Sequence, residues 1–156
     1  MIIDRGYKRI KKELQAMAKH EVAIGVLGKA GQTQYPDADA TLIDVAIWNH
    51  YGTRRKGKVH IPKRPFMDIA IRKYEQNMLN AVIAGINAII RGSDARTQLD
   101  RLGLLHTGHI QKVIAALKTP PNAPATIRKK GVDNPLIDTG RLRQAISHIV
   151  RRKRFF

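Results

Sequence analysis

The sequence predicts an α+β fold, with a small antiparallel sheet that includes residues 21–27 and 144–152 packed by several helices, the longest over about 65–91. Two patterns predict it. Apolar residues recur at helical spacing through most of the chain, while "EVAIGVLG" and "AISHIV" break that period with β-branched or alternating residues. Composition bounds the size of the core: 156 residues, 43% hydrophobic but only 5% aromatic, suffice for one core of Ile, Leu, Val, Ala and Met. We therefore expect a single domain over 1–156, with an extended basic loop at about 53–64 and a basic tail at 151–156.

Ile3, Tyr7, Ile10, Leu14 and Met17 form one apolar stripe of a first helix, with Lys8, Arg9, Lys11, Lys12 and Glu13 largely off it. "EVAIGVLG" then reads as a strand and "KAGQTQYPDADA" as an exposed loop. Thr41 suits the N-cap of a helix with Leu42, Val45, Ala46 and Asn49 on one side, stopped at Gly52. In residues 53–64, Gly57 and Pro62 deny regular helix to Arg54, Arg55, Lys56, Lys58, Lys63 and Arg64, so a loop or short hairpin around "KVHIP" is expected.

Pro65 opens the longest helix. Its "AVIAGINAII" is apolar almost all round, so burial on more than one side is expected, by the fold or by another subunit. Ser93 or Asp94 caps the next helix, which carries Leu99, Leu102, His106, Ile110, Val113, Ile114 and Leu117, is loosened near Gly103 and Gly108, and halts at "KTPPNAP". "ATIRKKG" is a helical turn or two, and Asp138 or Thr139 caps a short helix through Leu142. Ile146, His148 and Val150 alternate with Ser147, Ile149 and Arg151 as in a strand.

Lys and Arg outnumber Asp and Glu by 29 to 12, a net charge of +17, which calls for an anionic partner without choosing among nucleic acid, a membrane surface or acidic protein. Absence of cysteine excludes disulfide and thiol chemistry. Charges at Asp4, Arg5, Lys8 and Arg9 interrupt what a signal peptide needs unbroken, and no run is long enough to span a bilayer, so a soluble cytoplasmic protein is expected.

No catalytic pattern emerges. His106 and His109 share a helical face but lack further zinc ligands, which favours satisfied or solvent-exposed histidines. His20, His50, His60 and His148 are scattered, and "GVLGKAG" lacks the phosphate-loop spacing. The basic clusters at 54–64 and at Arg151, Arg152, Lys153 and Arg154 are stronger signals, able to neutralise phosphates, but no helix-turn-helix, zinc finger or ribonucleoprotein motif accompanies them. Trp48, Tyr51 and Phe66 read as core anchors flanking the first cluster.

Two motifs carry a resemblance. "VAIWNHYGT…HIPKRPFMDIA" resembles the A-x-x-N-E-F/Y-G-T…I-P-x-R-P-F-L/M segment of tailed-bacteriophage neck and tail-completion (minor tail) proteins. "APATIRKKGVDNPLIDTGRLRQAISHIV" resembles their C-terminal T-x-x-x-K-G-x-x-x-P-L-I/V-D-T-G-x-L/M-R-x-S/A-I. The group includes the HK97 gp10-like and Mu virion-morphogenesis (G-like) families, and the similarity spans about residues 20–150. Matching positions are Ala46, Asn49, Tyr51, Gly52, Thr53, Ile61, Pro62, Arg64, Pro65 and Phe66, then Thr126, Lys130, Gly131, Pro135, Leu136, Asp138, Thr139, Gly140, Leu142, Arg143 and Ile146. His50 stands where the pattern usually has Glu, so a carboxylate contact made there by relatives is absent or altered here.

The resemblance implies a non-enzymatic virion protein of the neck or tail, assembled in the host cytoplasm and needing no cofactor. It would form a homo-oligomeric ring that completes the tail or joins it to the head. Its partners would be itself and other neck or tail proteins, with non-specific DNA contact in the lumen and no membrane. In a ring each subunit needs two different complementary surfaces. The 53–64 loop, anchored by Trp48/Tyr51 and Phe66, is expected to dock a neighbour, its cations meeting carboxylates there or facing DNA. Arg64 is expected to satisfy local carbonyls or Asp68. Asp138, Thr139 and Gly140 would form a cap and tight turn that aim Arg141 and Arg143. The competing expectation is a small basic protein that binds nucleic acid non-specifically.

Overall fold

The computed structural model describes residues 6–35, 39–131, 134–137 and 140–153. Its elements run α1 (Tyr7–Lys19), β1 (His20–Val26), α2 (Gly28–Gln32), α3 (Leu42–Tyr51), β2 (Thr53–Arg55), β3 (Lys58–Ile61), α4 (Phe66–Ile90), α5 (Ala95–Ala116), α6 (Pro124–Lys130), α7 (Arg141–Ala145) and β4 (Ile146–Arg152). The architecture is α+β, with β1 and β4 paired antiparallel against the helices. The short helix α2 replaces the start of the expected loop after β1. Gly31 makes this possible, because its bare backbone lies where a Cβ would strike the Ile43 side chain.

The pairing register sets Val22 opposite Val150, Ile24 opposite His148 and Val26 opposite Ile146. Alternation along a strand then gives these residues one face, and it is the face that meets α5. The approach is close at Gly103, where an added Cβ would collide with the His148 ring and Val22. Gly103 therefore seats the sheet on an unbroken α5; it does not loosen the helix. His148 Nε2 lies 3.0 Å from Asp100 Oδ1 one turn earlier. On the outer face, Arg151 Nε donates to Glu21 Oε1 at 2.7 Å.

The core joins Leu42 and Ala46 of α3, Phe66 and Ala70 of α4, Ile110, Val113 and Ile114 of α5, and Leu142 and Ile146 near the C-terminus. Buried positions 42, 46 and 50 form an i, i+4 row, so α3 turns His50 inward and leaves Trp48 and Tyr51 off the buried stripe. Helix ends follow the sequence signals at Thr41, which forms a reciprocal capping box with Asp44, and at Asp94, whose carboxylate accepts from Thr97 N at 2.8 Å. At α7 the expected side-chain cap gives way to Gly140, the N-cap residue, in a left-handed conformation (φ 78°); Asp138 and Thr139 lie outside the described residues.

Helix α1 is held by its polar flank. Arg9 donates to the carbonyls of Ile89 and Ile90 (2.9 and 3.0 Å), and Glu13 accepts from Ala95 N (2.8 Å). A cation thus meets the carbonyl end of α4 and an anion the amide end of α5, both favourable for the helix dipoles. No residue of α1 is buried, and Tyr7 and Leu14 of its apolar stripe remain exposed.

His106 and His109 are buried in the α4–α5 layer, not solvent-exposed, and the Nδ1 of each lacks a hydrogen-bond partner among the described residues. His109 stacks on Tyr74 (centroids 4.0 Å apart, planes 6° from parallel), where α4 departs from helical dihedrals. Burial holds both imidazoles below their ordinary pKa near 6.5, with the charges of His106 and Lys112 adding to the effect at His109. The folded state then binds fewer protons than the unfolded chain. Stability from these rings is complete above about 6.5, falls as pH drops toward their lowered folded values, and levels off below them. Urea midpoints are expected to fall between about pH 7.5 and 5 and to fall less in His106→Gln/His109→Gln; equal slopes would contradict this.

Candidate functional site

The basic cluster forms a β-hairpin, β2 against β3, that pairs with itself and adds no strand to the β1–β4 sheet. Lys56 and Gly57 at its tip both take positive φ (50° and 75°), the type I′ geometry that matches strand twist. Cross-strand partners are Arg54 with Val59 and Arg55 with Lys58, and a bulge separates Thr53 from Arg54. Arg54, Arg55, Lys56, Lys58 and Lys63 are all exposed, and among the described residues none has a carboxylate within ion-pair distance.

Arg64 locks the hairpin's base. It is 3% exposed, and its guanidinium is solvated by neutral acceptors. Nε donates to Pro120 O (2.9 Å), Nη2 to Pro121 O (2.9 Å) and Nη1 to Asn49 Oδ1 (3.1 Å). Asn49 in turn donates its amide to Val45 O (2.9 Å), which fixes the oxygen toward Arg64. Arg64 N donates to Asn49 O at 2.7 Å. Arg64 is structural, as expected, but its acceptors come from the distant 120–122 connector, and Asp68 instead lies 3.5 Å from His50 Nε2. Burial lowers the Arg64 pKa from its usual value.

The network continues to the C-terminal motif. Asn122 contacts Arg64 Nη2 (3.4 Å) and donates to Asn134 O (3.4 Å), while Asn134 donates to Ala115 O (2.9 Å) and accepts from Leu136 N (3.2 Å). An open groove of about 440 Å³, lined by Asn49, His60, Pro62, Arg64, Thr126 and Pro135, lies where the two motifs meet. Asn122 and Asn134 carry no distinguishing mark in the sequence, because an Asn beside prolines reads only as a turn.

Gly52 is a conformational requirement: at φ 76° it ends α3, and a Cβ there would lie 2.9 Å from Lys63 N. Pro65 is the N-cap residue of α4 and Phe66, 1% exposed, is its core anchor. Trp48 and Tyr51 do not anchor the hairpin; Tyr51 is 68% exposed, with its ring edge-on to His50 at 4.6 Å. His50 is buried edge-on against Phe66 at 5.3 Å. Arg143 is exposed on α7, and Arg151, Arg152 and Lys153 are exposed at the end of β4, belonging to a different sheet from the hairpin. Arg154 lies outside the described residues.

Part of the uncovered apolar surface lies on the α4–α5 pair. Leu79, Ile83 and Ile90 are about half exposed (52%, 51% and 50%) and fall within one narrow stripe of α4. Roughly 140–200° round the helix, Ala81, Ala84 and Ala88 floor a groove walled by Leu102 and Leu105 of α5, with Arg91 and Arg101 at its rim. The apolar segment of α4 is therefore covered on one side by its own fold and left open on others.

Comparison with known proteins gives no matching family model, and no significant match among curated proteins or solved structures. No described helix is long and apolar enough to cross a membrane, and no group of three or more His, Asp or Glu among the described residues is arranged to hold a metal ion.

Arg64→Lys keeps the charge and loses the fork, leaving the Pro120 and Pro121 carbonyls and Asn49 short of donors. It is expected to cost about 3 kcal/mol, lowering the thermal midpoint by roughly 6–12 °C. A shift under about 2 °C by calorimetry would contradict the hub role.

Proposed function

We propose that this chain is a structural protein of a tailed-bacteriophage virion, at the neck or tail end. In this reading it acts as a homo-oligomeric ring that completes the tail or joins it to the head. The ordered pair of motifs supports the virion reading. The observation that carries the ring is the presence of two unlike apolar flanks on one helical pair: a ridge of Leu79, Ile83 and Ile90, and an alanine-floored groove beside Leu102 and Leu105. A ridge on one flank and a groove on another suit head-to-tail contact, which closes into a ring when the rotation allows. The charges agree: Glu75, one turn from Leu79, has no partner among the described residues, while Arg91 and Arg101 border the groove.

The second reading, a small basic protein that binds nucleic acid non-specifically, is favoured by one observation, the hairpin whose cations have no carboxylate partner among the described residues. It predicts salt-dependent binding by a monomer.

Sedimentation velocity separates the two. The wild-type chain is expected to form a discrete closed oligomer at micromolar concentration, and Leu79→Ser/Ile83→Ser to sediment near the 17.5 kDa monomer with its circular dichroism unchanged. A monomeric wild type, or an oligomer indifferent to the double substitution, would contradict the ring built on these flanks.

A further inference from the structure

Charge conservation constrains what the hairpin can touch. Each copy carries 29 Lys and Arg against 12 Asp and Glu, and assembly of identical copies multiplies both alike. However the copies pack, an excess of +17 per chain finds no carboxylate in the assembly. Among the described residues six carboxylates already have a partner: Glu13 the amide of Ala95, Glu21 Arg151, Asp44 Thr41, Asp68 His50, Asp94 Thr97, and Asp100 His148. A neighbouring copy therefore carries too few carboxylates to neutralise the hairpin as well as its own cations.

The hairpin also repels itself. Arg55 and Lys58 are direct cross-strand partners, with Lys56 beside them in the turn, and like charges placed opposite one another destabilise a ladder. An anion seated between them reverses that sign.

We infer that this hairpin is a phosphate-contacting element that holds duplex nucleic acid by its backbone, without reading sequence. Its composition separates this partner from the others. Residues 53–63 contain no Phe, Tyr or Trp, so the hairpin offers neither the aromatic anchor that dominates protein–protein contacts nor a ring on which unpaired bases stack. It offers cations on both strands and at the tip of a two-stranded ribbon, a shape the major groove of a duplex admits. The inference rests on the proposed virion reading for where the nucleic acid is met; the binding itself does not depend on ring formation.

The test uses the full chain and a fluorescein-labelled duplex of about 30 base pairs and arbitrary sequence, followed by anisotropy from about 50 to 300 mM NaCl. The hairpin variant Arg54→Thr/Arg55→Thr/Lys56→Asn/Lys58→Thr keeps strand-forming residues and puts Asn at the positive-φ position. A control removes four exposed helical cations: Lys8→Gln/Lys12→Gln/Arg72→Gln/Arg96→Gln. The slope of log K against log salt is expected to become shallower by about 3–4 in the hairpin variant and to stay near wild type in the control, at about 0.9 per phosphate contact. Equal loss in both variants would overturn the inference, as would a hairpin variant with the wild-type slope. Wild type that binds polyglutamate through the hairpin but not the duplex would overturn it in favour of an acidic protein. Sedimentation of the same samples distinguishes the two proposals. A slope difference in a wild type that stays monomeric sustains this inference while the ring fails. A hairpin variant that loses its oligomer and retains duplex binding overturns it in favour of subunit docking.

Discussion

The buried guanidinium of Arg64 is the constraint on which the candidate site depends. Removing a cation from water is costly, and no carboxylate among the described residues compensates it. The cost is offset by a fork of donors directed at acceptors with fixed positions: two carbonyls of the connector after α5 and the amide oxygen of Asn49. Because those acceptors belong to different parts of the chain, one side chain ties the end of α3, the start of α4 and the connector together. The hairpin leaves this knot between Gly52 and Pro62, so its base is held by hydrogen bonds while its turn residues are exposed. Through Asn122 and Asn134 the same network reaches Leu136, which explains physically how two motifs far apart in sequence come to share one region.

A division between polar and apolar contacts runs through the rest of the molecule. Polar pins fix the periphery: Arg9 and Glu13 fasten α1 to the junction of α4 and α5, and the Asp100–His148 contact fastens β4 to α5. Apolar area is then left uncovered on two flanks of α4–α5 and on α1. Exposed apolar patches of this kind mark association sites in proteins that do not work alone. On the proposed reading, apolar flanks join like copies, and excess positive charge is directed to something unlike them.

Local signals made most of the fold legible. Thr41 and Asp94 announced their helices through capping chemistry, Gly52 its stop, and the alternation from Ile146 onward its strand. The signals failed where the deciding contact was distant. Gly103 resembles a helix weakness until the sheet that lies against it is known, and Trp48 and Tyr51 resemble anchors until the row Leu42, Ala46, His50 fixes the inward side of α3. Arg64 could be recognised as structural beside Pro65 and Phe66, but its acceptors, 56 and 57 residues away, carry no sequence mark. A loop or short hairpin was legible because Gly57 and Pro62 deny regular helix, whereas the turn at Lys56 and Gly57 and the separation from the main sheet emerge only in the fold.

The central claim is that the chain works as a virion component at the head–tail junction or tail end, and electron microscopy of particles made by a phage without this gene tests it most directly. Filled heads beside separate tails, or tails of abnormal length, are expected in place of complete virions. Normal, infectious virions would contradict it.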